Sequence, residues 1–378
     1  MKITTNPFAF GKVVKGKQFF NRRKEIDEIS TEIINHQNII LYAPRRYGKT
    51  SLVLKTFDEL KKKHKNFVGL YIDFYNINSV EKFINVMSNQ YAEHSKLTLE
   101  KLLLTLRNFL TGITPGITLD KDGNPKIELS ILPNKRVQAF EDVMKLPKKL
   151  SEENKTVAVF FDEFQEVINL NGFDFQKKLR TLIQHHDKVS YVFCGSKHHL
   201  FQDIFNNSNN PLFKIGKTKY LDVIQEKEYS IFIHKNFIKI NKEFKKEHAI
   251  IIYQLAGSVP YNIQLLCNEI FNLMLINNNV PINELINYSY KNIINSKNEE
   301  YIILYENFSR SVRLALEIII KNDGKNLFRK DLLSDNRVAP STLKKAINNL
   351  MEEGIIYAEN KHYFFCDVFL RKWLKIGM

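Results

Sequence analysis

The sequence predicts an α/β core with a mostly parallel sheet, followed by an all-helical segment and a C-terminal winged-helix domain. Short apolar runs of strand character alternate with stretches of helical spacing up to about residue 224, the pattern of strands joined by helical crossovers. Strand signals then stop, and residues 225–305 read as helices interrupted at Gly257 and Pro260. The last seventy or so residues read helix, short helix, helix, two-strand hairpin, helix.

In chain order, residues 1–37 are an approach segment with helical spacing from Arg23 onward (Ile26, Ile29, Ile33). NIILYA, residues 38–43, reads as a buried strand; PRRYG breaks it, and a helix starts near Lys49. FVGLYIDF, residues 67–74, is a second buried strand, and helical periodicity returns across 79–111. Residues 117–131, ITLDKDGNPKIELSI, alternate on both sides of Asp122-Gly123, a favoured hairpin turn pair. Helical spacing resumes at 135–150, then TVAVFF (156–161) and VSYVFC (189–194) supply a third and a fourth buried strand. The expected domains are 1–224, an α/β core with a hairpin insertion near 117–131; 225–305, a helical domain; and 306–378, a winged-helix-like domain. There is no internal repeat, and the Asn-rich stretches 206–210 and 276–279 are the sole low-complexity tracts.

Composition narrows the class. With 44% hydrophobic and 26% charged residues, the 378-residue chain can bury cores and is not disordered as a whole. No apolar run reaches the ~18 residues needed to span a bilayer, and the N-terminus lacks the continuous apolar stretch of a signal peptide. A cytoplasmic protein with no membrane partner is expected. Cys194, Cys267 and Cys366 are far apart among apolar neighbours, so buried thiols are expected rather than a zinc site or disulfides. The net charge of +15 raises nucleic acid as a partner only modestly, since Lys, Asn and Ile are abundant throughout.

The chemistry lies at Ala43-Pro44-Arg45-Arg46-Tyr47-Gly48-Lys49-Thr50-Ser51, between a strand and a helix. This is the G-x-x-x-x-G-K-[ST] phosphate loop. Backbone N–H groups must converge on a β-phosphate, so Gly48 keeps the chain close. Lys49 neutralises the β/γ oxygens, the Thr50 hydroxyl ligates Mg²⁺, and the helix dipole adds to the field. The first glycine is replaced by Ala43, which suffices where φ is negative. ATP or ADP with Mg²⁺ is the expected ligand.

A second half follows about one hundred residues later in VAVFFDEFQEV. There Asp162 is placed to hold the Mg²⁺ shell and Glu163 to orient and activate the attacking water. At the end of the fourth strand, Ser196 is a candidate for sensing the γ-phosphate or holding the water, with a helix N-cap as the plain alternative.

These motifs resemble the archaeal-type ATPases of the signal-transduction (STAND) P-loop class, relatives of the AAA+ and origin-recognition ATPases. The resemblance rests on Asn6-Pro7-Phe8, Phe20-Asn21-Arg22 with Glu25, APRRYGKTSL, Tyr71-Ile72-Asp73, FFDEFQE, FCGS and GSVPYNIQLL. It implies that residues 225–305 are an α-helical lid, that Phe20, Asn21 and Arg22 line an adenine pocket, and that Gly257 and Pro260 close over the base. It also implies a cation reaching the γ-phosphate. After the fourth strand PLFKIGKTKYL offers Lys214, Lys217 and Lys219 but no arginine; Arg180 is a further candidate, though an exposed helix arginine is its plainer reading.

In the winged-helix segment, PSTLKKAINNLMEEG (340–354) is the recognition-helix candidate, with Leu343, Ile347 and Leu350 on one face and Gly354 as the stop. Ser341, Thr342, Lys344, Lys345 and Asn348 are the candidate contacts to duplex DNA. Glu359-Asn360-Lys361 would form the wing. Between 308 and 378, 13 Lys+Arg stand against 8 Asp+Glu, net +5. Packing on the core or binding a protein partner is weighed equally with DNA contact. The expected function is a slow, Mg-dependent ATPase acting as a nucleotide-controlled switch; the alternative is a DNA-binding or protein-interaction module in which nucleotide is structural. No nuclease signature is present, and His185-His186 and His198-His199 read as helix-surface pairs. Oligomeric state is not encoded in any motif.

Overall fold

The computed structural model describes residues 5–14, 16–95, 97–119, 125–170, 173–196, 198–276, 280–359 and 361–377. The chain forms two compact units: Arg22–Ala43 with Lys49–Leu221, and Met1–Asn21 with Pro44–Gly48 and Asp222–Met378.

Among the described residues, the first unit holds a five-stranded parallel sheet in the order β2-β5-β6-β1-β7. The strands are β1 (Ile39–Tyr42), β2 (Phe67–Asp73), β5 (Thr156–Asp162), β6 (Val189–Gly195) and β7 (Lys217–Tyr220), with the hairpin β3 (Ile113–Leu119) and β4 (Pro125–Ile131) apart. Its helices are α1 (Arg23–Ile34), α2 (Lys49–Lys63), α3 (Val80–His94), α4 (Leu99–Phe109), α5 (Arg136–Met144), α6 (Leu146–Glu152), α7 (Phe175–Ile183) and α8 (His198–Asn206). Every residue of β1 and β6 is buried, because helices cover both faces of the sheet; this is why these strands read as continuous apolar runs rather than alternating ones. Phe161 is wholly buried and packs its ring among Phe74, Phe83, Phe164, Tyr191 and Phe193. Each ring so buried contributes about 1.5–3 kcal/mol, which holds the β5 and β6 ends in fixed register.

Two readings needed correction here. β7 is a fifth strand inside what read as a loop: KTKY is short, polar and mostly exposed at the sheet edge, so it carries no apolar run. The hairpin begins at Ile113, paired with Ile131, four residues earlier than expected. Pro115 and Gly116, residues that weaken a strand signal, fall in its first half. The Asp122-Gly123 turn lies outside the described residues. The helical spacing across 79–111 is borne out, as two helices, α3 and α4.

The second unit carries α9 (Glu226–Phe237), α10 (Lys246–Leu255), α11 (Pro260–Ile276), α12 (Ile282–Ser296) and α13 (Asn298–Asn307). Then follow α14 (Arg310–Lys321), α15 (Lys330–Asp335), α16 (Pro340–Glu352), β8 (Ile356–Glu359), β9 (His362–Phe365) and α17 (Val368–Gly377). β8 and β9 pair antiparallel, giving the winged-helix order; Asn360 of the expected wing lies outside the described residues. α16 buries Leu343, Ala346, Ile347 and Leu350, with Pro340 in its first turn where a missing N–H costs nothing. One continuous apolar core runs from Phe8 through Phe237 and Phe271 to Leu316, Leu350 and Leu374, so lid and winged helix are packed together. No helix among the described residues is long and apolar enough to cross a membrane.

Candidate functional site

In the first unit, the carboxyl ends of neighbouring strands bring the sequence-predicted residues together. Register places Tyr42 beside Gly195 and Asp73 beside Asp162. Ala43 follows β1 and is not among the residues with positive φ, so its methyl is tolerated. Lys49 and Thr50 open α2, and Ser51 is buried in its first turn. The buried Lys49 Nζ donates to the Ala43 carbonyl at 2.9 Å. Thr50 Oγ1 donates to Asp162 Oδ2 at 2.6 Å, and Tyr71 Oη approaches the same oxygen at 3.4 Å.

Asp162 is only 4% exposed. Burial, foremost, with Glu163 nearby, pushes its carboxyl up to about 6, against the opposing pull of the Thr50 hydrogen bond and Lys49. Its negative charge is thus under-compensated by protein groups alone, a state that favours an added cation.

Glu163 sits in the left-handed region at φ 47°, a conformation that costs a non-glycine residue of order 1 kcal/mol or more. Its Oε2 accepts from Ser196 Oγ at 2.7 Å, Ser196 N at 3.2 Å and Gln165 Nε2 at 2.6 Å. Glu163 and Ser196 are therefore in direct contact. Gln165 went unnoticed in the sequence, although it sits inside the quoted FFDEFQE run. It is buried, and its Oε1 finds no hydrogen-bond partner among the described residues. A Cβ at Gly195 would lie 2.4 Å from that oxygen and 2.3 Å from the Phe201 ring, so glycine is what lets Gln165 stand behind Glu163.

The loop Pro44–Gly48 belongs to the second unit and is held there by specific partners. Gly48 has φ 85° and Arg46 φ 72°. The Arg46 guanidinium lies 4.7 Å over the Tyr261 ring, and its Nη1 pairs with Asp367 Oδ2 at 3.0 Å. Lys297 Nζ reaches the same oxygen at 3.2 Å. Burial pushes the Asp367 carboxyl up, but Lys297 and Arg46 more than offset this, and it lies below the usual range. Tyr47 is buried with its hydroxyl 3.4 Å from that of Tyr357 on β8. Arg45 is exposed, and Pro44 is half-buried.

The residues assigned to an adenine pocket by resemblance are placed as follows. Phe20 stacks on Phe232 with centroids 4.3 Å apart, and Asn21 Nδ2 donates to Glu228 Oε2 at 2.6 Å. Pro260 opens α11 next to Tyr261. Gly257 has φ 64°, and a Cβ there would meet Val368 at 2.3 Å. In the first unit Arg22 is buried, pairs with Glu25 at 2.8 Å, and leaves Nη2 without a hydrogen-bond partner among the described residues.

The candidate γ-phosphate cations are committed elsewhere. Arg180 is not an exposed helix arginine: its half-buried guanidinium clasps the carbonyls of Pro211 and Phe213 at 2.8 and 3.0 Å. Lys217 pairs with Glu32 and Lys219 with Glu28, while Lys214 lies 5.1 Å over the Phe213 ring. On α16, Ser341, Thr342, Lys344, Lys345 and Asn348 are all exposed.

A parallel sheet whose phosphate-loop strand β1 is separated from the Asp162 strand β5 by β6, followed by a helical segment and a winged helix, defines a P-loop ATPase of the AAA+-related kind. The chain belongs to the family of ATPase domains found predominantly in Archaea, which matches residues 19–266. A winged-helix domain family matches residues 299–376. An ATP-binding protein of Methanocaldococcus jannaschii, itself uncharacterised, is 28% identical over 288 residues, 68% of this chain and 73% of its own length. Among solved structures, the Walker-type ATPase of Pyrococcus abyssi superposes with TM-score 0.68 at 16% identity, covering 98% of this chain and 99% of that one. The ORC2 protein of Aeropyrum pernix, in complexes with ADPNP and ADP, gives TM-score 0.61 at 12% identity, covering 99% and 98%. The fold is shared with both. The chain is an ATP-binding, P-loop ATPase-like protein with a winged-helix domain.

Proposed function

We propose that residues 43–51 hold the phosphates of ATP, that Thr50 and Asp162 hold Mg²⁺, and that slow hydrolysis switches the state of the winged helix. The observation that carries the switch is the ion pair between Arg46, inside the phosphate loop, and Asp367, at the start of α17. A phosphate arriving at the loop competes with Asp367 for the Arg46 guanidinium, which binds either as a fork.

The donor set fits Mg²⁺. Asp162 and Thr50 offer hard oxygens 2.6 Å apart, and the carboxylate is buried. Among the described residues no group of three or more His, Cys, Asp or Glu side chains could hold a metal unaided, which suits an ion that keeps waters and takes phosphate oxygens as ligands. Such an ion would neutralise charge developing on the phosphate oxygens. Glu163 would position the attacking water, with Ser196 and Gln165 holding its carboxylate. No cation in cis is free among Arg180, Lys217 and Lys219, which supports low turnover without a partner. Phe20, Asn21, Arg22 and Pro260 are proposed to flank the base.

Asp367→Asn tests the switch. Asparagine keeps the oxygen that caps the Phe369 amide at 2.9 Å but loses the charge that holds Arg46. ATP affinity rises by about two- to tenfold in calorimetry, corresponding to the release of one half-buried ion pair. A drop in melting temperature with unchanged affinity would make the pair purely structural and end the switch reading.

A second reading, contact with duplex DNA, is favoured by the exposure of Lys344 and Lys345 at the start of α16, where Ser341 and Thr342 also face solvent. Lys344→Ala with Lys345→Ala flattens the slope of log affinity against log salt by up to about 2, leaving ATP binding alone. Anisotropy with a mixed-sequence duplex at several salt concentrations reads this. No wild-type binding at low salt leaves the face to a protein partner.

A further inference from the structure

The sequence marked His185-His186 as a helix-surface pair, and for His186 the structure differs. α7 ends at Ile183, and the His186 side chain is only 7% exposed. It lies in the wall of a cavity of about 510 Å³ in the first unit, together with Phe109, Lys145, Lys148, Lys149 and His185. The cavity is remote from Asp162 and Ser196 by topology. α6 leads into the amino end of β5, and His185-His186 lead into the amino end of β6. Asp162 and Ser196 stand at the carboxyl ends of those same strands, each seven residues long, or about 20 Å away.

Among the described residues, one of the three lysines of this cavity is in an ion pair and two are not. Lys145 is committed to Asp142 at 2.9 Å. Lys149 has its Nζ 4.8 Å over the Phe109 ring and, among the described residues, no carboxylate partner. Lys148 likewise has no ion pair among the described residues, although Glu152, four residues on along α6, lines the same cavity. Among the described residues, two lysines without an ion pair thus line the cavity beside one carboxylate.

The buried histidine adds a directed donor. His186 Nδ1 lies 2.7 Å from Tyr191 Oη. Tyr191 is fully buried, and among the described residues this is the one acceptor recorded for its hydroxyl, so the phenol donates and the ring carries its proton on Nε2. Burial, foremost, then Lys148 and His185 push the imidazole down to about 4, so it is a neutral N–H donor at neutral pH. No partner for Nε2 is recorded among the described residues.

We propose that this cavity is a second ligand site that binds a phosphoryl group, with Lys148 and Lys149 as counter-ions and His186 Nε2–H as the fixed donor. The volume admits a ligand of about nucleotide size. When Lys149 moves onto the phosphate, the Phe109 face becomes available to a base. Free phosphate esters and the terminal phosphate of a nucleic-acid strand share this chemistry.

The test uses the full chain with Lys49→Ala, which silences the phosphate loop. Calorimetric titration with inorganic pyrophosphate gives single-site saturation, and adding Lys148→Ala with Lys149→Ala weakens it at least tenfold while the melting temperature holds. A 5′-phosphorylated thymidine dinucleotide distinguishes the sources. If Phe109→Leu weakens the dinucleotide at least threefold and leaves pyrophosphate unchanged, the ligand carries a base; equal behaviour of both probes assigns the site to the phosphoryl group alone. Absence of saturable pyrophosphate binding, or equal binding after removal of both lysines, overturns the proposal and leaves a solvated basic face.

Discussion

Lys49→Ala lowers ATP affinity at least a hundredfold while the protein remains folded. Lys49 opens α2 and is buried at 6% exposure, and its Nζ donates to the Ala43 carbonyl at 2.9 Å. An ammonium whose contact is polar contributes little to apolar packing. Its removal costs the fold about 1–3 kcal/mol at most, the range for a hydrogen bond to a charged group. In the proposed complex with nucleotide the same ammonium would face the β/γ oxygens, where two charge-assisted bonds together would supply about 3–6 kcal/mol. A loss of 2.8 kcal/mol is about a hundredfold in affinity. Calorimetry of MgATP binding, alongside thermal unfolding monitored by circular dichroism, separates the two effects. Unchanged affinity with an intact melting curve would remove the phosphate-loop assignment.

Most of the sheet was legible because its strands are buried on both faces. IILY, FVGLYID, TVAVFFD and VSYVFCG carry the apolar runs that such burial demands. β7 was not legible because an edge strand paired on one side needs no apolar run; KTKY places two lysines where Glu28 and Glu32 can meet them. The same physics explains Arg180. Its position on an amphipathic helix resembles that of any surface arginine, and nothing local reveals that the Pro211 and Phe213 carbonyls fold back onto it.

The chemistry at the strand ends was legible wherever spacing fixes geometry. A strand–loop–helix puts Lys49 and Thr50 at a helix start, and an apolar strand ending in Asp162-Glu163 brings carboxylates to the same edge. What no spacing encodes is a contact between residues far apart in sequence. Arg46 with Asp367 spans 321 positions, and neither flanking pattern predicts the other. The composition of the loop held a hint: two consecutive arginines exceed what a single phosphate cradle requires. His186 illustrates the opposite case, where a polar pair following a helix was read by type, while its burial depends on Tyr191 five residues on.

Glu163→Gln lowers turnover by about 10² or more and leaves MgATP affinity within about twofold. The argument rests on which carboxylate oxygen is used. Oε2 accepts from Ser196 Oγ, Ser196 N and Gln165 Nε2 at 2.6–3.2 Å. For Oε1, no hydrogen bond is recorded among the described residues, which leaves it as the oxygen to take a water's proton in this reading. Three donors on one oxygen fix the carboxylate in place, as a positioned base needs. Glutamine keeps the shape and can still accept from Ser196, but its amide cannot take a proton from water. Asp162 and Lys49 keep their charges, and Thr50 its hydrogen bond to Asp162, in this variant, so binding persists. Ser196→Ala removes one donor from Oε2 and is expected to cost less, about tenfold, because Gln165 Nε2 and the Ser196 amide still hold the group. Single-turnover hydrolysis of radiolabelled ATP, with calorimetric affinity measured on the same preparations, reads both variants. Turnover in Glu163→Gln equal to wild type would show that Glu163 does not handle the water, and the three hydrogen bonds to Oε2 would then be a structural tie between β5 and β6.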